Sequence, residues 1–263
     1  MSITSGFALL FLMLESPNVR EKSYQWFLMI GSTVAIAAGG YWLNDLYDRP
    51  IDRINRPSRA LWVAVVGGRL LLSAVLLVWG IGLGMAILLP LPIFILHLLA
   101  IGGLAWYARW GKKTGLLGNV LIAGLTGIIP WEVMLLTGST CYAVDWMIPL
   151  AIGYNFVREL IKDAEDLAGD CVYGVASLPS RLSAATWNML LKLLWTALIM
   201  LTFMPAITAK VLWGEWPWLY LIIAGVGSLI PLLLGMRFWG NYRVQSLLLK
   251  VAMGGGLVAL WGL

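Results

Sequence analysis

The chain has 263 residues, of which 60% are hydrophobic and 12% are charged, and its mean hydropathy is +0.86. This composition excludes an ordinary soluble domain and predicts an integral membrane protein. The formal charge of +5 would suggest nucleic acid as a partner in a soluble protein, but basic loops beside anionic lipid explain it here, and we expect no nucleic acid partner.

Apolar segments recur along the whole chain. Because a segment within lipid must satisfy its backbone hydrogen bonds internally, each is predicted to be a helix. At about 20 residues a crossing, the sequence predicts an all-α integral membrane protein, a bundle of about nine transmembrane helices. We expect one domain over residues 1–263. The predicted spans are 1–14, 25–43, 61–80, 84–106, 116–137, 146–161, 184–203, 216–235 and 245–263.

Basic residues are unevenly divided between the two sides of the predicted bundle. The loops on one side carry Arg49, Arg53, Arg56, Arg59, Arg109, Lys112, Lys113, Arg158, Lys162, Arg181, Arg237 and Arg243. The loops on the other side carry Arg20, Lys22 and Lys210. By the positive-inside rule, we expect a multi-pass protein of the cell membrane with the first set of loops in the cytoplasm.

The first acidic segment follows the second predicted span. Asp45, Asp48 and Asp52 are spaced i, i+3 and i+7, so they share one face if the helix continues past the span. Asn44, four residues before Asp48, joins the same face. Pro50 either breaks the helix before Asp52 or places Asp52 on a bent continuation.

The second acidic segment follows the sixth predicted span and repeats this spacing. Asp163, Asp166 and Asp170 are predicted to continue a helical stripe that begins at Asn155 and Glu159. An even number of predicted spans separates the two segments, so both should lie at the same membrane face. We therefore expect the two acidic clusters to meet across one cavity.

Clustered carboxylates repel one another unless a cation lies between them. Oxygen donors without His or Cys favour Mg²⁺, which is commonly held by one or two carboxylates together with substrate phosphates. Basic residues near the clusters would meet a diphosphate, and these are Arg56, Lys112, Lys113, Arg158 and Lys162. The pattern predicts Mg²⁺-assisted cleavage of an allylic prenyl diphosphate whose apolar chain lies within the bundle.

Two other interpretations of the acidic segments stay open at this point. The carboxylates could be solvated helix ends that form salt bridges with Arg49, Arg53, Arg158 and Lys162. Acids within a membrane protein also mark ion paths, so a cation transporter is an alternative from another functional class.

Polar residues inside the predicted spans are few. His97 is the only histidine, which excludes a histidine-ligated metal centre and favours a packed core position. Glu132 lies within the fifth span, where an acid needs a partner, and Arg69 or Lys192 could supply it from inside the bundle.

At the acidic segments the chain resembles the UbiA-type intramembrane prenyltransferases. That family carries NDxxDxxxD after its second helix and a second Asp-rich motif after its sixth. The first motif is complete from Asn44 to Asp52, and the resemblance continues through Asn55-Arg56-Pro57, 107–119 and 158–170. It implies a nine-helix bundle that binds Mg²⁺ and a prenyl diphosphate at the cytoplasmic side.

The residues and the resemblance together predict a site. The expected metal ligands are Asp45, Asp48, Asp52, Asp163, Asp166 and Asp170, of which Asp45, Asp48, Asp163 and Asp166 are also assigned as catalytic. The expected diphosphate contacts are Asn44, Arg56, Tyr107, Lys112, Arg158 and Lys162.

The acceptor is predicted from finer features of the motifs. Two sequences, INRP after the first motif and RELIKDAEDLAGD within the other motif, are most similar to archaeal-type digeranylgeranylglyceryl phosphate synthases. This similarity implies transfer of a geranylgeranyl group to geranylgeranylglyceryl phosphate, a membrane-associated lipid acceptor, with release of diphosphate. An aromatic, quinone or chlorophyll-type precursor is the alternative acceptor. After Arg59, residues 60–64 depart from the family's usual Pro-Leu-Pro-Ser-Gly.

Overall fold

A computed structural model of the chain describes residues 23–175 and 177–263. All regular elements within this part are helical, which confirms the all-α prediction. The first predicted span, 1–14, lies outside the described residues. The helices are α1 Ser23–Asn55, α2 Pro57–Val66, α3 Gly68–Ala86, α4 Leu91–Arg109, α5 Leu116–Thr137, α6 Tyr142–Glu165, α7 Leu167–Val172, α8 Leu178–Arg181, α9 Ala184–Trp213, α10 Trp218–Arg237 and α11 Tyr242–Ala259.

Seven of the described helices are long and apolar enough to cross a membrane. They are α1, α3, α4, α5, α9, α10 and α11. Helix α6 has 24 residues but is less apolar, because it carries Asp145 near its start and Arg158 and Glu159 near its end. The protein is therefore an integral membrane protein.

The predicted span 61–80 is interrupted in the structure. Gly67 has φ of 84°, in the region that glycine adopts without steric cost, and it separates α2 from α3. The continuous span was therefore wrong, because hydropathy does not register a change of backbone direction within an apolar run. Arg69 consequently lies exposed in the first turn of α3 rather than inside a span.

Helix α1 organises the first half of the bundle. Its 33 residues give a length of about 50 Å at 1.5 Å per residue, well beyond the thickness of the hydrocarbon core. It packs along α3 and α4, and the Trp79 indole Nε1 donates to the Ile36 carbonyl at 3.0 Å. Its last turns therefore extend past the apolar bundle and carry the first acidic segment with them.

Helix α6 organises the second half, where α5, α9 and α11 pack around it. The Trp187 indole on α9 donates to the Tyr242 hydroxyl on α11 at 3.1 Å, and the Trp239 indole donates to Asn188 at 3.1 Å. The starts of α9 and α11 thus lie at the same end of the bundle. Since α9 follows the short helices α7 and α8, this is also the end where α6 finishes.

A buried polar group links α1, α4 and α5 inside the bundle. The Thr33 hydroxyl donates to Glu132 Oε2 at 3.0 Å, and His97 Nε2 lies 3.0 Å from Glu132 Oε1. His97 is packed in the core as predicted. Neither partner predicted for Glu132 is correct, because Arg69 lies at the start of α3 and Lys192 lies over the Trp239 ring on the outside of α9.

Candidate active site

The structure brings the two acidic segments together at one end of the bundle. Arg56, which directly follows α1, donates through Nη2 to both carboxylate oxygens of Asp166, at 2.9 and 3.1 Å. The two residues are 110 positions apart in the chain. A cation from the first segment therefore neutralises a carboxylate of the second.

Asn55 makes a second bridge between the two segments. Its side-chain nitrogen donates to the Asp166 carbonyl at 2.7 Å, and its side-chain oxygen accepts from the Gly169 amide at 2.9 Å. A Cβ atom on Gly169 would lie 2.6 Å from the Asn55 nitrogen, so any side chain there would displace the bridge. The sequence placed Asn55 within the family motif but gave it no role, since its partner lies far along the chain.

The first acidic cluster lies on one continuous helix. Pro50 sits inside α1, which runs on to Asn55, so the bent-continuation alternative applies to Asp52. The three carboxylates share a face that is almost fully buried, with exposed fractions of 7% for Asp45, 5% for Asp48 and 4% for Asp52. Burial of three acids within two turns requires positive charge nearby.

Two polar neighbours, Asn44 and Arg59, partly stabilise the carboxylates of this cluster. Asn44 donates through Nδ2 to Asp48 Oδ2 at 2.6 Å, and Arg59 Nε lies 3.3 Å from Asp45 Oδ1. The carbonyl oxygen of the Asn44 side chain is buried and has no hydrogen-bond partner among the described residues. A buried oxygen in that position lacks a donor from the described part of the protein, and a bound cation would satisfy it.

The second acidic cluster does not form the single helical stripe that the spacing predicted. Helix α6 ends at Glu165, Asp166 lies between helices, and α7 begins at Leu167. Asp166 and Asp170 are buried, and Asp163 is half-buried. The continuous stripe was wrong because α7 turns back onto the end of α1, where the Asn55 and Arg56 contacts hold it.

Asp163 connects the second cluster to α5. Asn119, in the first turn of α5, donates through Nδ2 to Asp163 Oδ2 at 2.8 Å. Burial raises the pKa of Asp163 to about 7, although the Asn119 hydrogen bond acts in the opposite direction. The carboxyl is therefore ionised only above about neutral pH unless a cation is close to it.

Glu159 holds two of the predicted diphosphate residues near the end of α6. Arg158 Nη1 donates to Glu159 Oε1 at 2.7 Å, and Lys162 Nζ donates to Glu159 Oε2 at 3.4 Å. The Glu159 carboxylate raises the pKa of Lys162, which stays charged. One buried acid thus serves two cations, and the group carries a net positive charge.

The predicted contacts from the loop after α4 are placed differently. Tyr107 is buried, and its ring packs against Gly111 and Gly118, where a Cβ atom would lie 2.5 and 3.2 Å from ring carbons. The loop forms a short 3₁₀ turn, Gly111–Thr114, that leads into α5 and Asn119. The side chain of Lys112 lies outside what the structure describes.

The salt bridges of the clusters bear on the solvated-end interpretation. Of the four basic residues expected to pair with acids, Arg158 and Lys162 do so, with Glu159. Near the first cluster, Arg56 and Arg59 pair with acids, whereas the expected residues were Arg49 and Arg53. In residues 23–175 and 177–263, no three His, Cys, Asp or Glu side chains converge as a ready-made metal cage. A cation held by one or two carboxylates and by substrate phosphates does not need such a cage.

A cavity of about 350 Å³ opens beside the clusters, between α1, α5, α6 and α11. Arg158 and Asn155 line it from α6, and Lys250 lines it from α11. The remaining lining is mainly apolar and consists of Tyr41, Thr126, Ile129, Met147, Leu150, Ala151, Tyr154, Met253, Gly254, Gly256, Leu257 and Leu260. An apolar chain with a polar head could enter this space.

Comparison with known proteins gives consistent results. Residues 4–254 match the model of the UbiA prenyltransferase family. A digeranylgeranylglyceryl phosphate synthase from Sulfurisphaera tokodaii is 32% identical over 176 residues, which cover 65% of this chain and 62% of that protein. The matched region thus spans less than two thirds of that relative. A synthase of the same name from Korarchaeum cryptofilum is 30% identical over 233 residues, covering 86% of this chain and 80% of that protein.

The solved structures agree in fold. A UbiA homologue from Aeropyrum pernix K1 superposes with a TM-score of 0.73 over 99% of this chain and 95% of that chain, at 17% sequence identity. At this identity the likeness concerns the fold alone.

Proposed function

This chain belongs to the UbiA prenyltransferase family, and we propose that it transfers a geranylgeranyl group from its diphosphate to geranylgeranylglyceryl phosphate, releasing diphosphate. The observation that carries the proposal is the joining of two acidic segments at one end of a membrane bundle, through the Arg56–Asp166 ion pair and the Asn55 bridge. The names of the relatives support the phosphate-bearing acceptor.

We propose that the whole chain acts as one domain with this end in the cytoplasm. The excess of Arg and Lys in the loops at this end supports the orientation by the positive-inside rule. A cytoplasmic site also suits a prenyl diphosphate, whose head is charged and whose chain is soluble only in the membrane.

A divalent metal is generally used by prenyltransferases of this family, and we propose Mg²⁺. The donors present fit it, since they are all oxygens and include the buried Asn44 side-chain carbonyl that has no hydrogen-bond partner among the described residues. The residues that would hold it are Asp45, Asp48, Asp52, Asp163, Asp166 and Asp170. When bound, Mg²⁺ supplies positive charge that neutralises the diphosphate as a leaving group.

The residues of the chain divide the remaining work. Arg56, Arg158 and Lys162 are cations that can meet diphosphate oxygens, and Asn44 orients Asp48 through its 2.6 Å hydrogen bond. Tyr107 packs the 3₁₀ turn against α5, which places Asn119 on Asp163. The apolar cavity next to these groups keeps water away from the reacting carbon.

The proposed reaction is a substitution at the allylic carbon. The bond between C1 of the prenyl group and the diphosphate oxygen breaks, and the diphosphate leaves with the electron pair. The acceptor's hydroxyl oxygen forms the new bond to C1 and gives its proton to an oxygen of the departing diphosphate. Exclusion of water matters because water would compete as the nucleophile.

The test is turnover by the purified protein in neutral detergent. Labelled geranylgeranyl diphosphate is incubated with Mg²⁺ and geranylgeranylglyceryl phosphate, and the ether product and released diphosphate are both measured. Parallel reactions offer aromatic acids and quinol precursors, the alternative acceptors. Product formation with an aromatic acceptor alone would overturn the proposed acceptor, and failure of every reaction would overturn the proposed function.

A further inference from the structure

We infer that Lys250 binds the phosphate of the acceptor lipid and thereby selects a phosphate-bearing acceptor. The inference rests on the proposed function, and it adds a residue that lies outside both acidic motifs. It follows from the position of Lys250, the groups that face it and the composition of the cavity around it.

Lys250 is an unusual residue for its helix. It lies eight residues after Tyr242, the start of α11, in a segment of 21 residues that is apolar enough to cross the membrane. At 1.5 Å per residue this is about 12 Å from the site end of the bundle. A charged side chain at such a depth is costly and is retained for a use.

Among the described residues, Lys250 has no hydrogen-bond or ion-pair partner. Lys192, another lysine within an apolar helix, differs because its ammonium lies 5.6 Å from the Trp239 ring centroid. Lys250 instead is exposed and lines the 350 Å³ cavity, so its charge is accessible to a ligand that occupies that space.

Arg158 and Lys250 line the cavity from similar positions along their helices, counted from the helix ends nearest the site. Arg158 lies seven residues before Glu165, the end of α6, which is about 10 Å from the same end of the bundle. Both residues line the cavity, and Asn155 lies one turn deeper on α6. The charged groups of the cavity, Arg158 and Lys250, thus lie toward its site end.

The deeper part of the cavity is apolar. Going away from the site, α11 contributes Met253 and Leu257, the turn after it contributes Leu260, and α6 contributes Leu150 and Met147. A ligand with an anionic head and an apolar chain matches this division. The volume of about 350 Å³ lies within the usual range of small-molecule pockets, about 300–1,000 Å³.

The composition of the cavity distinguishes this ligand from the prenyl diphosphate. None of the described residues that line it is acidic, so it lacks the carboxylates that would share a divalent cation with a diphosphate. Such a region suits a phosphate that binds without a metal, as the phosphate of a glyceryl phosphate acceptor would.

The experiment compares two acceptors that differ only in the phosphate, geranylgeranylglyceryl phosphate and geranylgeranylglycerol. We expect Lys250→Gln to raise the KM for the phosphate-bearing acceptor by about 10-fold or more, the size of a lost charge-assisted hydrogen bond. The KM for geranylgeranyl diphosphate and the turnover of geranylgeranylglycerol should stay within about twofold. Lys250→Arg should restore much of the preference, because it keeps the charge.

Lys192→Gln is the matched control, since it removes a lysine from an apolar helix outside the cavity. An unchanged ratio of kcat/KM between the two acceptors in Lys250→Gln would overturn the inference. So would an equal rise in the KM for both substrates, which would indicate a general disturbance of the site.

A bulk anionic phospholipid is the other source of a phosphate for Lys250. The assays are therefore repeated in detergent with and without phosphatidylglycerol. If Lys250→Gln abolishes only a dependence on phosphatidylglycerol and leaves acceptor preference intact, the acceptor assignment is wrong.

A binding measurement separates failure of this inference from failure of the proposed function. Thermal melting of wild type and Lys250→Gln is followed with the phosphate-bearing acceptor and without prenyl diphosphate. Stabilisation of wild type alone supports the inference even in the absence of turnover. Equal stabilisation of both proteins, or of neither, contradicts it.

Discussion

Replacing Asn55 with Ala tests whether the bridge between the two acidic segments organises the site. The change removes hydrogen bonds of 2.7 Å to the Asp166 carbonyl and 2.9 Å from the Gly169 amide. At about 0.5–1.5 kcal/mol for each bond, the loss is about 1–3 kcal/mol. Because this energy would be lost from stabilisation of the transition state, kcat/KM for the prenyl diphosphate should fall by about 5- to 150-fold.

Gly169→Ala should act through the same bridge by a different means. Its Cβ atom would lie 2.6 Å from the Asn55 nitrogen and would force the amide away from both partners. The double variant should therefore be little worse than either single variant, with a coupling energy close to the single effects. Activity is measured as diphosphate release at several concentrations of geranylgeranyl diphosphate.

Asn188→Ala is the control for this pair. It also removes a half-buried asparagine that accepts a side-chain hydrogen bond, from the Trp239 indole at 3.1 Å, but it lies outside the site. We expect near-normal kcat/KM. Wild-type activity in Asn55→Ala, or strict additivity in the double variant, would show that the bridge does not position Asp166.

Three further predictions concern the metal, the carboxylates and the buried pair. EDTA should stop diphosphate release and added Mg²⁺ should restore it; full activity in EDTA would contradict the proposed metal. Asp48→Ala and Asp166→Ala should each abolish turnover while far-UV circular dichroism stays helical, and near-normal rates in both would exclude their assigned roles. Glu132→Ala should lower the free energy of unfolding by about 3–5 kcal/mol, because it removes the buried carboxylate that His97 and Thr33 share and leaves a cavity in its place. Glu132→Gln should lower it less, and melting temperatures equal to that of wild type for both variants in detergent would argue against a role for this group in stability.

Hydropathy predicted the bounds of a helix correctly where the apolar run and the helix end at the same residues. The predicted span 116–137 coincides with α5, Leu116–Thr137, which is flanked by Gly115 and Gly138 in positive-φ conformations. The run 61–80 contains one charged residue, Arg69, and it breaks at Gly67, where a positive φ changes the direction of the backbone. Such a break depends on how α2 packs against α1, which a single sequence does not display.

The candidate site was predictable in composition but not in its pairing. The repeated spacing of acids identified both clusters, and the basic residues nearby identified the chemistry. The particular partners depend on contacts over 110 residues or more, such as Arg56 with Asp166 and Asn55 with Gly169. Glu132 shows the same limit, since its partner is the imidazole of His97, whereas the sequence suggested the fully charged Arg69 or Lys192.

The junction between α1 and α2 explains why the two clusters act as one site. Arg56 leaves the helical conformation, with φ of −144° and ψ of 69°, and Pro57 starts α2. This turn directs Arg56 to Asp166, while Arg59, the third residue of α2, pairs with Asp45. A single short segment therefore places one cation on each cluster and fixes their separation. A diphosphate bound across both clusters would depend on that separation, so substitutions at Arg56 and at Arg59 should raise the KM for the same substrate, geranylgeranyl diphosphate.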